Sequence, residues 1–510
     1  MKNKYFSKRI ISIVTCIALI MCTLAFSSIS AYAEGIAPSE RNLESSWDIS
    51  VPQIRVFTEN GNGTTLQKDD GYQTADIIIK DTDGSELTDS VQFKVRGNTT
   101  ALSWVTKKAY TFKFEKKKNV LGLGKGKKWA LIANAFDPTL LRNHIAFDLA
   151  DELGLEYTSK KKVVEVWVDN SFRGCYMLFE PVQEGKDRVD IDIESNEGKK
   201  DFLIEYEKSR VEDDVTYFTV NGLRFIASEP EEPNEEQLAY IQNTMQGIIT
   251  TLKSGVYSDI EQAIDIESFA KYYLLNEYMK TFDFDMSSVF YYYKDGKLYA
   301  GPAWDYDLSA GNAEPEYSSR AAATNDPEGL MAKGKNIYKF ITCYDWFYDV
   351  VKRVYREHYD FIENIGADGG LLDTLYATYQ NEITRNYTTA GWKVSKWWIN
   401  NTLQPYSTYQ ENYDFLKDWC VQRNEWLTNE WGLFSNYYIL GDADGDGKLN
   451  IRDVSYIQRI LAEYVPCDDL TRLRADVDGS GKVTISDATE TQRFLVEFPV
   501  EYELGKIIYY

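Results

Sequence analysis

Histidine and cysteine are scarce in this chain, and their scarcity excludes several kinds of chemistry. The 510 residues include two histidines, His144 and His358, and six cysteines. We therefore expect neither a Ser-His-Asp or Cys-His mechanism nor a histidine-rich zinc site. Four cysteines, spread from Cys175 to Cys467, do not form the pattern of a disulfide framework, and one bridge or free buried thiols are the two alternatives. Chemistry in this chain must use carboxylates, lysines, arginines and bound metal.

Positive charge is also in short supply. The chain has 56 Lys and Arg against 79 Asp and Glu, which gives a net charge of -23. A surface this acidic repels nucleic acid and anionic membranes. It suits calcium ions and cationic partners, and solubility alone is a simpler explanation of it.

One long apolar run is present, at the N-terminus. Basic residues precede Ile10–Phe26, and the small-x-small sequence Ala31–Ala33 follows. This order is typical of a signal peptide, and we expect cleavage after residue 33 and a secreted, extracellular protein. A transmembrane anchor is the alternative, but the run is marginal in length and is interrupted by hydroxyl side chains. We expect a linker at 34–49, a large domain at 50–435 and a small domain at 438–505.

The small domain contains a repeat. Gly441–Tyr464 reads GDADGDGKLNIRDVSYIQRILAEY, and Ala475–Phe498 aligns with it without gaps as ADVDGSGKVTISDATETQRFLVEF. The spacing of oxygen-bearing residues is that of a calcium loop, in which positions 1, 3, 5, 7 and 12 supply ligands and a glycine at position 6 turns the chain. We expect calcium loops at 442–453 and 476–487.

The loop pattern identifies the expected calcium ligands. They are Asp442, Asp444, Asp446, the Lys448 carbonyl and Asp453 in the first loop, and Asp476, Asp478, Ser480, the Lys482 carbonyl and Asp487 in the second. The second loop has one carboxylate fewer, so we expect it to bind calcium more weakly. An acidic turn without metal and a paired EF-hand are the alternatives. The EF-hand is disfavoured because position 12 is Asp rather than Glu and no helix of usual length precedes Asp442.

A duplicated loop-helix unit with Asp at position 12 resembles the type I dockerin from Tyr438 to about Glu503. The resemblance implies two Ca2+ ions, a cohesin partner on a scaffoldin, and attachment to a cellulosome. The family's cohesin-binding positions match Ile451, Arg452, Tyr456, Arg459, Ile460, Ile485, Ser486, Glu490 and Arg493. In the alignment of the two copies, Arg452 corresponds to Ser486 and Tyr456 corresponds to Glu490. These differences argue against a symmetric, two-way binding mode.

The large domain has strand patterns first and helical patterns later. β-branched and aromatic alternation predicts strands at Ile54–Phe57, Thr74–Ile79, Val91–Val95 and Tyr110–Phe114. Residues 339–432 and Leu238–Leu252 have helical patterns. The fold class we expect is α+β, with a β-rich N-terminal part and a helical C-terminal part, followed by a small all-α calcium-loop domain.

Two local features can be predicted more closely. A helix is expected over Leu140–Leu153, with Asp137 as its N-cap, Pro138 at its first position and Gly154 as its stop. A β-hairpin is expected around the turn Asp169–Asn170.

Several segments of the large domain resemble the spore-coat CotH kinase-like family, over about residues 50 to 432. They are VRGNTT (95–100), TKKAYTFKF (106–114), GKKWALIANAFDPTLLRNHIAFDLADELG (126–154), VEVWVDNSFRGCYMLFEPV (164–182), NEYMKTFDFDMSS (276–288) and GPAWDYDLSAGN (301–312). The resemblance implies an atypical protein kinase that uses Mg2+ and transfers the γ-phosphoryl group of ATP to Ser or Thr. Asp283 matches the family's catalytic aspartate, and Asp305 and Asp307 match its metal-binding pair.

Two carboxylates so close in sequence bridge a metal only where the backbone turns, so we expect a turn at Asp305–Asp307. Four further residues are candidates for the nucleotide site: Lys107, Lys108, Arg142 and Glu180. A lysine would reach the phosphates, the glutamate would orient it, and the arginine would contact phosphate from the start of a helix.

Departures from ordinary kinases leave other functions open. The glycine-rich loop, the HRD and DFG motifs and the Walker spacing are absent. Ser288 stands where ordinary kinases carry an asparagine for a second metal. The alternatives are a non-catalytic scaffold or adhesion module, which would contact polysaccharide through some of the 37 tyrosines and 12 tryptophans, and a glycoside hydrolase active in polysaccharide degradation.

Overall fold

The computed structural model describes residues 40–41, 50–194, 200–208, 210, 212, 215–393, 407–434 and 437–509. The expected signal peptide lies outside the described residues, as does nearly all of the expected linker. Within the described parts, no helix has the length and apolar character needed to cross a bilayer.

The N-terminal part is a closed seven-stranded barrel. Its strands are β1 (Gln53–Thr58), β2 (Gln73–Lys80), β3 (Glu86–Arg96), β4 (Ala109–Asn119), β5 (Lys125–Ile132), β6 (Lys161–Val168) and β7 (Ser171–Phe179). They are ordered β1-β2-β3-β4-β5-β7-β6, and the parallel pairing of β1 with β6 closes the ring. Alternation along β3 follows from this arrangement, because Val91, Phe93 and Val95 are buried in the barrel while Gln92 faces solvent.

The four predicted strands and the predicted hairpin are confirmed. β6 and β7 are joined at Asp169 and Asn170, both of which have left-handed φ angles, of 47° and 64°. Asn and Asp tolerate this conformation best among residues with a Cβ, and it matches the twist of a two-residue hairpin.

The helix predicted at Leu140 begins later, as α1 (Arg142–Glu152). Asp137 is not its N-cap, because Leu140 has a φ of 63° and delays the first helical turn. The Asp137 carboxylate instead accepts a hydrogen bond from the Arg142 backbone N–H at 2.8 Å and forms an ion pair with the Arg142 guanidinium at 2.6 Å. The predicted stop is confirmed, since Gly154 follows with a φ of 64°.

A second, antiparallel sheet leads from the barrel to the helical part. Its order is β12-β11-β8-β10-β9, built from β8 (Phe202–Tyr206), β9 (Tyr217–Val220), β10 (Leu223–Glu229), β11 (Val289–Lys294) and β12 (Lys297–Ala300). The helices are α2 (Glu235–Ser254), α3 (Tyr257–Ala263), α4 (Ile266–Met279), α5 (Ser319–Asn325), α6 (Asp345–Glu357), α7 (Tyr359–Gly366), α8 (Leu371–Thr388) and α9 (Tyr409–Glu430). The helical C-terminal part is confirmed.

α4 is the central helix of the helical part. Eleven of its residues are buried, including Glu277, which forms an ion pair with the buried Arg423 of α9. The same carboxylate accepts hydrogen bonds from the backbone N–H groups of Met331, Ala332 and Lys333. A buried charge needs such partners, so α4 is fixed in place immediately before the segment that carries Asp283.

The C-terminal domain is helical, as expected. It contains β13 (Tyr437–Ile439), α10 (Ile451–Leu461), α11 (Asp469–Ala475), α12 (Ile485–Leu495) and β14 (Ile507–Tyr509). A short antiparallel pairing of β13 with β14 joins its two ends, which the sequence patterns did not predict. Its apolar core is small, consisting of Ala443, Val454, Ile457, Ala475 and Ala488.

The four cysteines discussed above are unpaired. Cys175 and Cys420 are buried, whereas Cys343 and Cys467 are exposed. Of the two alternatives from the sequence, free thiols are the one found.

Candidate functional site

Two chain segments bring three aspartates to one place. α4 ends at Met279, and a 3-10 turn over Phe282–Asp285 carries Asp283. The segment after β12 carries Asp305 and Asp307. Backbone hydrogen bonds tie the two segments together, from Phe282 N to the Leu308 carbonyl at 2.9 Å and from Ala310 N to the Met279 carbonyl at 2.6 Å.

The backbone turns between Asp305 and Asp307. Asp305 has a left-handed φ of 67°, which is uncommon outside glycine and is found at functional sites where neighbouring structure enforces it. Two residues of α1 stabilise this turn. The Asn143 side-chain oxygen accepts a hydrogen bond from Tyr306 N at 2.9 Å. The Arg142 guanidinium donates to the carbonyls of Ser309 and Ala310. These two α1 residues position the aspartate pair, a role that sequence reasoning did not assign to them.

The pKa values of all three aspartates are raised, mainly by desolvation. Burial raises the pKa of Asp283 to about 7, and the charge of Asp305 adds to the effect. Desolvation by the surrounding protein also raises the pKa of Asp305, although part of this residue is exposed to solvent. Burial raises the pKa of Asp307 well above the usual range, helped by the charges of Asp305 and Asp283. Such crowding of carboxylates is relieved by a divalent cation, and carboxylate oxygens are what Mg2+ prefers.

Solvent reaches this cluster from one side. Asp305 is exposed, Asp283 is half-buried, and Asp307 is 8% exposed at the bottom. The cluster is therefore accessible to a ligand from solvent. The three carboxylates are not packed as closely as those of the calcium loops described below.

Ser288 lies at the cluster. Its hydroxyl donates to the Asp305 carboxylate at 3.5 Å, and its backbone N–H donates to Glu205 at 3.0 Å. The side chain that replaces the asparagine of ordinary kinases thus contacts a predicted metal ligand. Asp285, three residues before Ser288, is paired with Lys208 at 2.8 Å and with Arg320 at 4.0 Å.

Three arginines lie near the aspartates. The charge of Arg96 lowers the pKa of Asp305, that of Arg320 lowers the pKa of Asp283, and that of Arg210 lowers both, each against the larger effect of burial. Arg210 is itself paired with glutamates of the β8 segment. None of the three was selected from the sequence, although Arg96 lies within the VRGNTT segment.

The four predicted nucleotide-binding residues have protein partners in the structure. Lys107 donates to the carbonyls of Ala133 and Cys175, each at 2.7 Å, and burial lowers its pKa to about 7. Lys108 donates to the carbonyls of Ala101 and Leu102.

Glu180 and Arg142 are also engaged. Burial raises the pKa of Glu180 to about 7, and its ion-pair partner is Arg188 at 3.9 Å, while the charge of Lys160 also acts on it. Arg142 is paired with Asp137, whose charge also acts on Asp307. Arg142 therefore contacts the segment that carries Asp305 and Asp307.

Each predicted calcium loop brings three carboxylates together. Ligand oxygens of Asp442, Asp444 and Asp453 lie within 4.8 Å of one another in the first loop. Asp476, Asp478 and Asp487 do the same in the second loop. The groupings follow positions 1, 3 and 12 of the loop pattern, which are the positions expected to converge.

The remaining loop positions contact their own backbone. The Asp446 carboxylate accepts a hydrogen bond from Lys448 N at 2.9 Å, and the Ser480 hydroxyl donates to the Lys482 carbonyl at 3.1 Å. The Ser480 hydroxyl also donates to the Asp476 carboxylate at 3.3 Å, and the Asp446 backbone N–H donates to the Asp444 carboxylate at 3.0 Å. Position 5 therefore adjoins the carboxylate group in each loop, and calcium ligation by positions 5 and 7 stays a prediction.

The first loop fits a calcium ion in one further respect. Asp442 Oδ1 is buried and accepts no hydrogen bond, which is costly for a carboxylate oxygen and is explained by a cation. Burial raises the pKa of Asp453 to about 6, and the charges of Asp444 and Asp442 raise it further. Calcium relieves this repulsion because it neutralises all three carboxylates.

The predicted cohesin-binding residues lie on the surface of α10 and α12. Ile451 and Ile485 are 61% and 64% exposed, unusual values for isoleucine. Ile451 and Arg493 line one groove together with Val496 and Phe498. The other predicted positions are exposed or half-buried: Arg452, Tyr456, Arg459, Ile460, Ser486 and Glu490. An apolar exposed face of this kind is typical of a protein-binding surface.

Comparison with known families agrees with this architecture. Residues 93–427 match the CotH kinase protein family, and residues 440–496 match the dockerin type I domain. The chain therefore belongs to the CotH kinase family and ends in a type I dockerin. The dockerin implies calcium binding, a cohesin partner and association with an extracellular cellulosome. No curated protein matches the chain.

Proposed function

We propose that the large module is an atypical protein kinase that transfers the γ-phosphoryl group of ATP to Ser or Thr of a protein. The observation that carries this proposal is the solvent-accessible cluster of Asp283, Asp305 and Asp307, with its raised pKa values. Phosphoryl transfer requires positioning and electrostatic stabilisation more than covalent chemistry, and a carboxylate cluster serves both.

Each aspartate has a separate role in this proposal. Asp305 and Asp307 would hold Mg2+, which would supply charge neutralisation for the phosphoryl group. Asp283 orients the hydroxyl of the acceptor and accepts its proton. A pKa near neutrality suits a group that takes up a proton at physiological pH.

We propose that this activity takes place outside the cell. We propose a signal peptide at 1–33, a linker at 34–49, the kinase-like module at 50–435 and the dockerin at 438–505. β1 and β2 belong to the same closed barrel as β3, which supports a module boundary near residue 50. The dockerin, with its two calcium loops and the α10–α12 surface, attaches the module to a cohesin of a scaffoldin.

A non-catalytic scaffold is the second candidate. One observation favours it: the amines of Lys107 and Lys108 both donate to backbone carbonyls, so neither is available to a phosphate in this conformation. In that case the module would position other proteins or polysaccharide, and the dockerin would be the chain's one activity.

Transfer of labelled phosphate separates the two candidates. The full chain would be incubated with ATP, Mg2+ and the extracellular proteins of a cellulosome-forming culture, beside Asp283→Asn as the matched variant. We expect phosphoserine or phosphothreonine with the wild type and its loss with Asp283→Asn. No transfer by the wild type, or equal transfer by both chains, would contradict the kinase proposal.

A further inference from the structure

We propose that Arg96 is the residue that binds the phosphate groups of the nucleotide. The inference rests on the proposed kinase function and goes beyond it, because the four phosphate-site candidates indicated by the sequence all have protein partners. The ligand class is the β- and γ-phosphates of a nucleoside triphosphate.

Arg96 is the last residue of β3, and this position brings it near the aspartate cluster. β3 pairs with β4 up to Arg96, and Gly97 then turns the chain away with a φ of 93°. A side chain at Gly97 would approach the Thr100 hydroxyl oxygen to 2.0 Å, so only glycine fits this turn. The turn leaves the arginine side chain at the open end of the barrel strand.

Trp304 fixes the guanidinium beside Asp305. The guanidinium carbon lies 5.2 Å from the centre of the Trp304 ring, within the range of a cation–π contact. Trp304 directly precedes Asp305, and its ring is packed against Phe147 and Phe179. The cation is therefore positioned by a rigid aromatic platform next to a predicted metal ligand.

Within the described part of the chain, no carboxylate lies within 4.0 Å of Arg96 and no acceptor is hydrogen-bonded to it. Two fully buried arginines differ in this respect: Arg142 is paired with Asp137, and Arg423 with Glu277. Burial lowers the pKa of Arg96, and the charge of Asp305 acts against this. A half-buried guanidinium that contacts an aromatic ring but no hydrogen-bond acceptor keeps a planar set of donors for a ligand, and phosphate matches that set in a bidentate manner.

Arg320 lies on the other side of the cluster. It is stacked on Phe282 at 5.4 Å, and its charge acts on Asp283, whereas that of Arg96 acts on Asp305. Because Asp305 is on the proposed metal side and Asp283 on the acceptor side, Arg96 is the arginine adjacent to the phosphates that Mg2+ would bridge.

Direct binding by the full chain tests the inference. Affinities for Mg-ATP, for adenosine and for inorganic tripolyphosphate would be measured by calorimetry on the wild type, Arg96→Ala, Arg96→Gln and Arg96→Lys. Arg353→Ala is the matched control, since it removes the same charge from α6, where Arg353 forms a surface pair with Glu267 of α4. We expect both neutral variants to bind Mg-ATP and tripolyphosphate roughly ten- to a hundredfold more weakly, the range of a lost charge-assisted hydrogen bond.

The conservative variant should recover only part of the affinity, because lysine restores the charge without the planar fork. Melting temperatures show which neutral variant is folded and can be interpreted. Mg-ATP binding by a folded neutral variant as tight as that of the wild type would overturn the inference and leave the kinase proposal standing. Tripolyphosphate binding that depends on Arg96, without ATP binding, would overturn the nucleotide as the ligand and would also contradict the kinase proposal. A wild type that binds no phosphate compound would contradict both.

Discussion

His144 shows how strongly the interior controls a single side chain. It lies on α1, 5% exposed, with its ring 5.2 Å from that of Tyr379. Burial lowers its pKa to about 3, and the charge of Lys161 acts in the same direction. The folded chain therefore holds a neutral imidazole at pH values where the unfolded chain binds a proton.

This shift predicts a loss of stability in acid. Between about pH 6.5 and pH 3 the unfolded state binds one proton more than the folded state at His144, so stability falls by up to about 1.4 kcal/mol per pH unit from this group. We expect His144→Phe to flatten the pH dependence of the unfolding free energy, measured by urea denaturation at pH 7 and pH 5. An unchanged pH dependence in the variant would contradict the assignment.

Because Ser480 replaces an aspartate, we expect the two loops to differ in calcium affinity. Position 5 is Asp446 in the first loop and Ser480 in the second, so the second loop has one negative charge fewer. We expect Ser480→Asp to tighten calcium binding by the second loop, because the number of charged ligands sets affinity in such loops. Calcium titration of the full chain would measure this, with Thr489→Asp, an exposed change on α12, as the control for added charge. Equal effects of the two changes would show that net charge, not ligation, is responsible.

At the scale of elements, α4 depends on one buried ion pair. Glu277 accepts three backbone hydrogen bonds and faces Arg423 at 3.5 Å, with both side chains fully buried. We expect Glu277→Ala to destabilise the large module by about 3–5 kcal/mol, because it leaves Arg423 as an uncompensated buried charge. Denaturant unfolding measures the loss.

A surface pair on the same helix is the control. Glu267 is exposed and is paired with Arg353. Its replacement by alanine should cost about 1 kcal/mol or less, as is usual for exposed ion pairs. Similar losses for Glu267→Ala and Glu277→Ala would contradict the role given to the buried pair.

The elements also show what local sequence can predict. β1 to β4 and the β6–β7 hairpin were predicted because apolar and polar residues alternate along the strands and turn residues lie within a few positions of them. Closure of the barrel was not, because it pairs Gln53 with Glu165, far away in the sequence. The N-cap at Asp137 was wrong because the carboxylate is used by Arg142, a contact that depends on the left-handed Leu140.

The same limit applies to the candidate site. Motif resemblance selected the three aspartates, since their identities are fixed by sequence. It did not give the partners of Lys107 and Lys108, because the direction of a lysine side chain depends on which carbonyls the folded chain brings near it. The surroundings of Arg96 were missed for the same reason: Trp304 and Asp305 meet it only in three dimensions.

At the scale of the whole molecule, calcium should govern docking without affecting the large module. The dockerin core is small, and each loop concentrates carboxylates that repel one another without metal. We expect a chelator to abolish binding to an immobilised cohesin and to remove the dockerin's thermal transition. The transition of the large module should stay unchanged, and added calcium should restore docking. Cohesin binding that persists in excess chelator would contradict this account.

Binding of Mg-ATP tests the central claim most directly. Calorimetry on the full chain would compare the wild type with an Asp305→Asn/Asp307→Asn double variant, which keeps the side-chain shapes and removes both charges. The account predicts that the wild type binds Mg-ATP and that the folded double variant does not. A wild type that does not bind, or a double variant that binds equally well, would contradict the assignment of this aspartate cluster as a phosphoryl-transfer site.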